Sequence, residues 1–221
     1  MKLVSHPNVI RLESVHEDQV SISIVMTLCR GGDLWDKVNS QHPKGFGEDQ
    51  ARAVMKPLIK AISYLHQLGI LHRDLKPENV LLTEPDPGRD LGQVKVADFG
   101  FSRQVATQAG LACGKKLIGT PSYMAPESII DGVYGKEVDW FACGCIMYMM
   151  LMGCPPFMGR NASEILENTC AGRLSVDYST RSAWSRLSTG ARDLMVGLMR
   201  LDCTARYTGE KALEHPWMSG A

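Results

Sequence analysis

The sequence predicts an α+β protein in which a few strands come first and helices follow. Residues 9–28 contain two runs rich in Val, Ile and Leu with Glu17-Asp18-Gln19 between them, a pattern typical of a β-hairpin. From Glu137 onward the apolar residues recur at helical spacing, and the predicted helices cover 137–152, 161–171, 188–200 and 209–213. Because strands and helices are segregated along the chain, we expect an α+β fold rather than alternating βαβ units.

The segment between these two regions contains the clearest amphipathic helix, at Glu48–Gln67. Its apolar residues share the three- and four-residue spacing that lines one helix face, and they are Ala51, Val54, Met55, Leu58, Ile59, Ile62 and Leu65. Gly69 is placed to end this helix. A shorter helix is predicted at Asp33–Ser40. Two short strands are predicted at Val80–Leu82 and Val94–Ala97, with a turn-rich loop between them.

The composition is ordinary for a globular domain and carries no excess charge. The chain has 221 residues, of which 44% are hydrophobic and 22% are charged, and its formal net charge is zero. We therefore expect no nucleic acid and no membrane among its partners. The most apolar run, Trp140–Met152, is shorter than the ~20 residues that a membrane-spanning helix needs. It is predicted to be a helix buried on all sides.

The cysteines indicate a reducing compartment. Seven are present, an odd number, and no two form a Cys-x-x-Cys pair; they are Cys29, Cys113, Cys143, Cys145, Cys154, Cys170 and Cys203. Residues 1–20 lack the apolar core of a secretory signal peptide. We therefore expect reduced, buried thiols rather than disulfides or zinc, in a protein of the cytoplasm or the nucleus.

Three motifs carry the chemistry. Residues 72–79 read His-Arg-Asp-Leu-Lys-Pro-Glu-Asn, residues 98–100 read Asp-Phe-Gly, and residues 125–127 read Ala-Pro-Glu. Phosphoryl transfer requires an oriented acceptor hydroxyl, metal-neutralised phosphates and a positive charge near the moving group. The three motifs supply residues of each kind. A chance match to one motif would not explain why all three occur in this order.

Each of these tasks has a candidate residue. Asp74 is the candidate base that accepts or orients the hydroxyl proton, and Lys76 can reach the transferred phosphate. Asn79 and Asp98 offer the hard oxygen ligands that suit Mg²⁺. Taken alone, Asp74 would be interpreted as a solvated loop carboxylate, but the three ordered motifs favour the catalytic interpretation.

The chain resembles a eukaryotic serine/threonine protein kinase, and it is most similar to the calmodulin-dependent and calcium-dependent kinase group. The resemblance runs from Ser5-His6-Pro7-Asn8-Val9 to His215-Pro216-Trp217 and covers nearly the whole chain. Further matching segments are residues 31–34, 119–127, 134–140 and 153–157. The fold that this implies is protein-kinase-like, with a complete, mostly helical large lobe and only the last strands of the small lobe.

The resemblance implies an ATP site that uses Mg²⁺, with Asn79 and Asp98 as the metal ligands. Met26 would lie beside the adenine pocket as the gatekeeper, and Thr27 to Cys29 would form the hinge that hydrogen-bonds adenine through the backbone. Leu81 would pack under the base, and Ala97 would line the pocket just before Asp98.

It also implies how the catalytic loop is held and which acceptor is used. Lys76 is typical of serine/threonine kinases rather than tyrosine kinases, and Thr120 would bond to the catalytic Asp74 and to Lys76. Asp139 would hold the backbone of the catalytic loop from the large buried helix. Further contacts implied by the resemblance are an ion pair between Glu127 and Arg206 and a stack of His72 on Phe99.

The implied protein substrates carry Ser or Thr acceptors, with arginine three residues before the acceptor. Asp33 and Glu78 match positions that bind this arginine in basophilic kinases, where two carboxylates make charge-assisted bonds to one guanidinium. Met149 occupies the position of a second acid in some relatives, so we expect little demand for arginine two residues before the acceptor. Asp33 can equally be a helix N-cap or a ribose contact.

Control through the activation segment, residues 98–127, departs from the family pattern. Arg73 belongs to the Arg-Asp type of loop, whose arginine usually meets a phosphate or an acid, yet the matching position here is Lys116, next to Lys115. The hydroxyls between Asp98 and Gly119 are Ser102 and Thr107, and neither lies at the usual place. A phosphate on Thr107 that pairs with these lysines remains one hypothesis.

The resemblance divides the chain into a small-lobe remnant with its hinge, residues 1–28, and a large lobe, residues 29–221. The Gly-rich loop, the strand lysine and the helix glutamate of kinases should lie upstream of His6, where the chain has five residues. We therefore expect apolar surface to be exposed near Val9, Ile22 and Ile24.

Three interpretations follow. The first is a fragment of an active serine/threonine kinase, and the second is a catalytically inactive module that acts as a binding or scaffold protein. If the protein starts at Met1, we expect it to transfer no phosphate. The third, a small-molecule kinase of the aminoglycoside or choline type, disagrees with the residues at 119–121 and 125–127. No EF-hand pattern occurs in the sequence, so calcium control is not inferred.

Overall fold

The structure is a computed structural model and describes residues 4–41, 45–84, 93–105, 111–112, 117–175 and 183–220. Its strands form four antiparallel pairs of two strands each. The strands are β1 (Leu12–Glu17), β2 (Ile22–Met26), β3 (Ile70–Leu71), β4 (Val80–Leu82), β5 (Val94–Val96), β6 (Arg103–Gln104), β7 (Leu111–Ala112) and β8 (Val133–Tyr134). The pairs are β1 with β2, β3 with β6, β4 with β5, and β7 with β8.

The predicted hairpin is confirmed as β1 and β2, although both strands begin later than the predicted runs and β2 ends two residues before Leu28. Asp18 closes the turn by accepting hydrogen bonds from the amides of Val20 and Ser21 at 2.7 and 2.8 Å. The expected exposure is confirmed for two residues of β2, since Ile22 is 63% and Ile24 is 56% exposed.

The prediction for Val9 is wrong, because its exposure is only 3%. Val9 bridges to Val96 of β5, and the amide of Ile10 donates to the carbonyl of Val96 at 2.8 Å. This backbone pairing draws the segment before β1 into the core.

The helices follow the predicted order, and the helix at Glu48–Gln67 has the predicted bounds. They are α1 (Leu34–Asp36), α2 (Glu48–Gln67), α3 (Pro126–Ile130), α4 (Lys136–Met152), α5 (Ala162–Cys170), α6 (Thr189–Leu198), α7 (Gly209–Glu214) and α8 (Pro216–Ser219). The short helix predicted at Asp33–Ser40 is α1 followed by a π-helical turn at Lys37–Gln41. Gly69 follows α2 at φ 71°, a conformation that glycine adopts without strain.

The core forms around α4, which is buried on all sides as predicted. Every residue from Val138 to Met152 is buried, because α2 packs on one side of this helix and α6 on another. Such a helix is held by burial rather than by its own caps, since apolar surface removed from water contributes about 25 cal/mol per Å². The buried α4 therefore provides a rigid support for residues that project from its start.

Two further predictions concern membrane-spanning helices and the cysteines. Among the described residues, no helix is long and apolar enough to cross a membrane. Six of the seven cysteines lie in the described part and are free thiols; Cys143 and Cys145 are buried as predicted, while Cys29, Cys154, Cys170 and Cys203 are half-buried. Cys113, like the predicted loop at 85–92, falls outside the described residues.

Candidate active site

The loop His72–Asn79 connects β3 to β4. Its backbone is hydrogen-bonded by Asp139, which lies in the first turns of α4. The carboxylate of Asp139 accepts hydrogen bonds from the amides of His72 and Arg73, both at 2.9 Å. It also lies 2.7 Å from Nε2 of His66. Burial raises the pKa of Asp139, but these hydrogen bonds outweigh it, so its pKa lies below the ordinary value. Asp139 is therefore a charged anchor for the loop, in the role that the resemblance implies.

Two residues of this region adopt left-handed backbone conformations that side chains disfavour. Arg73 has φ 68° and Asp98 has φ 57°, and among the described residues they are the two non-glycine positions with positive φ. Such a conformation costs about 1–2 kcal/mol per residue. It persists only where the surroundings determine it, and residues of this kind cluster at functional sites.

Asp74, Lys76 and Thr120 meet at the centre of the loop. The hydroxyl of Thr120 donates to Oδ1 of Asp74 at 2.8 Å, and Nζ of Lys76 donates to the same hydroxyl at 3.2 Å. Lys76 Nζ also lies 3.4 Å from Oδ2 of Asp74. The carboxylate is therefore paired with a cation and oriented by a hydroxyl 46 residues further along the chain.

Gly119 permits this close approach. Its φ is 114°, and a Cβ there would lie 2.9 Å from the carbonyl oxygen of Arg73. Any side chain at this position would push the two segments apart, because 2.9 Å is shorter than a carbon–oxygen contact allows. The glycine before Thr120 thus lets the end of the activation segment lie directly on the catalytic loop.

At the end of the β4–β5 pair, Asn79 lies opposite Ala97, the residue that precedes Asp98. The amide of Ala97 donates to the carbonyl of Asn79 at 2.9 Å, and the side-chain amide nitrogen of Asn79 donates to the carbonyl of Asp74 at 2.8 Å. This bond turns the nitrogen of the Asn79 amide inward, so its oxygen is the atom that can ligate a metal. Asp98 accepts from the amide of Gly100 at 3.0 Å. An amide oxygen and a carboxylate fit Mg²⁺, which prefers hard oxygen ligands.

The residues predicted to form the gatekeeper and the hinge do not all line the same cavity. Met26 ends β2 and is exposed, while Thr27 donates its amide to the carbonyl of Arg11 and its hydroxyl to Glu13, both at 3.0 Å. An open cavity of about 670 Å³ beside the hinge is lined by Thr27, and Met26 is not among its lining residues. Cys29 is half-buried, and burial raises the pKa of its thiol.

The two remaining residues of the predicted adenine pocket lie on the β4–β5 pair. Leu81 is half-buried in β4, opposite Lys95, and forms an isolated bridge with Asp33. Ala97 is buried, and its carbonyl oxygen lies 3.0 Å from Nε2 of His72. Neither residue lines the cavity beside the hinge.

The two carboxylates predicted to bind arginine have different surroundings. Asp33 is a helix N-cap, because its Oδ1 accepts the amide of Asp36 at 2.9 Å. Within the described part of the chain, Oε2 of Glu78 is by contrast buried without a hydrogen-bond partner. The hydroxyl of Tyr123 makes a 3.5 Å contact with the sulfur of Met149, and burial together with the charge of Glu78 raises the Tyr123 pKa well above its ordinary value.

The contacts around the Asp-Phe-Gly motif differ in detail from expectation. The rings of His72 and Phe99 lie 5.3 Å apart at 53°, so they contact each other at a tilt rather than as a stack. Ser102 donates to the carbonyl of Phe99 at 2.7 Å. Thr107, Lys115 and Lys116 lie outside the described residues.

Two residues near the site were missed by sequence reasoning. His66 bonds to Asp139 from α2, and Tyr134 binds Ile118 and faces Arg73. Tyr134 belongs to a segment that matches the family, but the segment alone carries no signal for its contacts. Only the three-dimensional structure shows which residues contact one another.

Comparison with known proteins agrees with this geometry. The family described as protein kinase domain matches residues 1–218. The chain belongs to the protein kinase domain family. The resemblance drawn from the motifs is therefore confirmed, and the mixed fold with a mostly helical large lobe is that of a protein kinase domain.

The curated relatives of this kinase domain come from the group that the sequence indicated. It is 39% identical over 219 residues to calcium/calmodulin-dependent protein kinase type IV of Mus musculus, and 37% identical over 221 residues to calcium/calmodulin-dependent protein kinase type 1B of Rattus norvegicus. It is also 38% identical over 220 residues to calcium-dependent protein kinase 5 of Plasmodium falciparum (isolate 3D7).

These matches cover nearly all of the kinase domain but only part of each relative. They include 98%, 100% and 98% of this chain, and 44%, 61% and 36% of the respective relatives. The chain thus spans about a third to three fifths of the curated relatives that it matches.

Proposed function

We propose that the chain is the catalytic domain of a serine/threonine protein kinase that transfers the γ-phosphate of ATP to Ser or Thr of protein substrates. The observation that carries this proposal is the hydrogen-bonded set of Asp74, Lys76 and Thr120. A loop retained only for binding would have no need of a carboxylate paired with a lysine and oriented by a hydroxyl. The names of the curated relatives support catalysis over the scaffold interpretation.

The side chains have distinct tasks in this proposal. Asp74 orients the acceptor hydroxyl and takes its proton, and Thr120 keeps the Asp74 carboxylate in one rotamer. Lys76 places a positive charge where negative charge develops on the transferred group. Asn79 and Asp98 would hold Mg²⁺, which neutralises the phosphates when it is bound.

The domain division and the nucleotide contacts are part of the same proposal. Residues 1–28 are assigned to the small lobe and the hinge, and residues 29–221 to the large lobe. Thr27 and Cys29 would bind adenine through backbone groups, beside Met26. Leu81 and Ala97 would pack against the base from the β4–β5 pair, and we place the protein in the cytoplasm or the nucleus.

A phosphotransfer assay tests the proposal. Residues 1–221 are purified, both alone and in a longer form that carries any residues encoded before Met1 in the transcript, and transfer from ATP to a serine peptide is measured with Mg²⁺ present. We expect transfer by the extended protein and its loss in Asp74→Asn, since the base is removed while the fold is kept. Equal transfer by Asp74→Asn, or none by any extended protein, would contradict the proposal.

For the substrate, we propose a preference for arginine three residues before the acceptor. Oε2 of Glu78 supports this, because it is buried without a partner among the residues that the structure describes, and a guanidinium would satisfy an atom whose isolation costs about 1–3 kcal/mol. Asp33 would contribute its second carboxylate oxygen, since Oδ1 caps α1.

Peptides with and without this arginine test the preference. In Glu78→Gln we expect the preference for arginine to fall about tenfold, the effect of losing one charge-assisted bond. The exposed Glu17→Gln is the matched control and should leave the preference unchanged. A preference that survives in Glu78→Gln and in Asp33→Asn would exclude this subsite.

A further inference from the structure

We infer that Tyr134 is a positioning residue that sets the activation segment on the catalytic loop through hydrogen bonds to the backbone of Ile118, contacts that do not themselves involve a phosphate. The inference rests on the proposed function, because the two segments that it joins carry Thr120 and Asp74. Tyr134 itself touches none of the reacting groups and acts through the backbone of Ile118.

The side chain of Tyr134 binds both backbone groups of Ile118. The amide of Ile118 donates to the Tyr134 hydroxyl at 2.8 Å, and this hydroxyl donates to the carbonyl of Ile118 at 3.1 Å. Ile118 lies two residues before Thr120, which bonds to Asp74 at 2.8 Å. Tyr134 is fully buried, with an exposure of 1%. The hydroxyl of Tyr134 therefore fixes the backbone two residues before Thr120.

Tyr134 makes a second contact with the activation segment through its backbone. As part of β8 it pairs with Leu111 of β7 in antiparallel register. The segment is thus attached to one residue at two places, positions 111 and 118. A single hydrogen bond would leave the segment free to rotate about it, whereas two attachments also set its direction.

The ring of Tyr134 faces the catalytic loop. The guanidinium carbon of Arg73 lies 5.8 Å from the ring centroid, at the outer limit of a cation–π contact. Nε of Arg73 donates to the carbonyl of Phe101 at 2.7 Å, within the activation segment. The arginine that would pair with a phosphate in related loops is thus engaged by a carbonyl and an aromatic ring.

One short stretch of chain holds both halves of the site. Tyr134 binds Ile118, and Asp139, five residues later at the start of α4, binds the amides of His72 and Arg73. The side chains of Tyr134 and Asp139 line one small cavity together with Asp74 and Thr120. Because α4 is buried and rigid, the relative placement of the two segments follows from this stretch.

Hydrogen exchange on residues 1–221 tests the inference without relying on catalysis. In Tyr134→Phe the ring remains but the Ile118 amide loses its acceptor, so its exchange should accelerate by about tenfold or more. Tyr148→Phe is the matched control, because it removes another buried phenol, which donates to the carbonyl of Ser175 at 2.8 Å. We expect unchanged exchange at Ile118 in this control.

The wild-type protein provides a second measurement that does not depend on a variant's folding. We expect the Ile118 amide to exchange at least about tenfold more slowly than in an unstructured peptide, both before and after phosphatase treatment verified by mass. Unprotected Ile118 in the wild type, unchanged exchange in folded Tyr134→Phe, or loss of protection on dephosphorylation would each overturn the inference.

The catalytic readout separates this inference from the proposed function. In protein that transfers phosphate, the rate per nucleotide-binding site should fall in Tyr134→Phe and not in Tyr148→Phe, with KM for ATP unchanged. Absence of transfer by every protein, with exchange altered as expected, would remove the proposed function and leave Tyr134 as the residue that orders this segment. A normal rate in Tyr134→Phe with accelerated exchange would overturn its positioning role.

Discussion

Arg206 and Glu127 are 79 residues apart in the chain and are joined by two hydrogen bonds of 2.6 and 2.9 Å. Arg206 also donates to the carbonyl of Glu137 at 2.8 Å, and its guanidinium carbon lies 5.0 Å from the ring centroid of Phe141. The pair therefore fastens the end of the activation segment to the first turns of α4 and to the segment before α7.

Breaking this pair should destabilise the protein strongly. Arg206→Met leaves Glu127 without its partner, and removal of one member of a buried pair costs about 3–5 kcal/mol. The measurement is the free energy of unfolding from urea titration. Arg160→Met, which breaks the exposed pair with Glu164, is the control and should produce little change. Equal stability of the two variants would contradict the prediction.

Thr120→Val should reduce phosphotransfer while preserving the fold. Valine keeps the shape of threonine but cannot donate to Asp74, and a hydrogen bond to a charged group contributes about 1.5–3 kcal/mol. We expect the rate per nucleotide-binding site to fall about tenfold to a hundredfold. Thr204→Val is the control, because that exposed hydroxyl bonds to Asp202 far from the loop. A Thr120→Val rate equal to that of Thr204→Val would show that the hydroxyl does not orient Asp74.

Asp98→Asn should remove the Mg²⁺ dependence of nucleotide binding. The variant replaces a charged ligand by a neutral one, and we expect affinity for a fluorescent ATP analogue in Mg²⁺ to drop at least about tenfold. Affinity without Mg²⁺ should change little, since the hinge is untouched. The exposed Asp131→Asn serves as the control for charge alone. If Mg²⁺ enhances binding equally in both variants, Asp98 is not a metal ligand.

Glu48 predicts how stability depends on pH. Its carboxylate accepts hydrogen bonds from the amide and hydroxyl of Ser188 at 2.6 and 2.7 Å and from Nε1 of Trp217 at 2.7 Å. Burial raises the pKa of Glu48, but these bonds outweigh it, so its pKa lies below the ordinary value of 4.5. The stabilisation from Glu48 is therefore complete above pH 4.5 and is lost as the pH falls through the depressed pKa.

Glu48→Gln should consequently be less stable than the wild type at neutral pH and should lose less stability on acidification. The measurement is urea unfolding followed by tryptophan fluorescence at about pH 7 and about pH 4. Asp49→Asn is the matched control, because this neighbouring carboxylate is 96% exposed and pairs within its own helical turn. An acid dependence of Glu48→Gln as steep as that of Asp49→Asn would contradict the prediction.

The sequence predicted the presence of helices and strands well and the residues at which they begin and end poorly. The observed bounds of α2 agree with the predicted ones. Its apolar residues keep the helical spacing up to the last turn, and Gly69 then ends the helix. The hairpin starts later than predicted because Val9 pairs with Val96, which lies 87 residues away and gives no local signal. A strand-like residue is interpreted as part of the nearest strand unless its distant partner is known.

The candidate site divides in the same way. Tasks could be proposed from the sequence for Asp74, Lys76 and Asn79 of the catalytic loop, since these residues are close along the chain. The sequence left open whether Asp33 caps a helix, and it gave no sign that an oxygen of Glu78 lacks a hydrogen-bond partner among the described residues. Both facts depend on which backbone amides and side chains surround each carboxylate.

By itself the sequence determined the family and indicated the residues of the catalytic loop, because the motifs are contiguous in the chain and can be recognised without knowing their distant partners. Only the tertiary structure decided that Tyr134 binds Ile118 and that Glu48 joins three helices, whereas the pair of Arg206 and Glu127 confirmed a contact that the resemblance had implied. Hydrogen bonds require donor and acceptor within about 3 Å, and for residues far apart in the chain the packing of the core sets that distance.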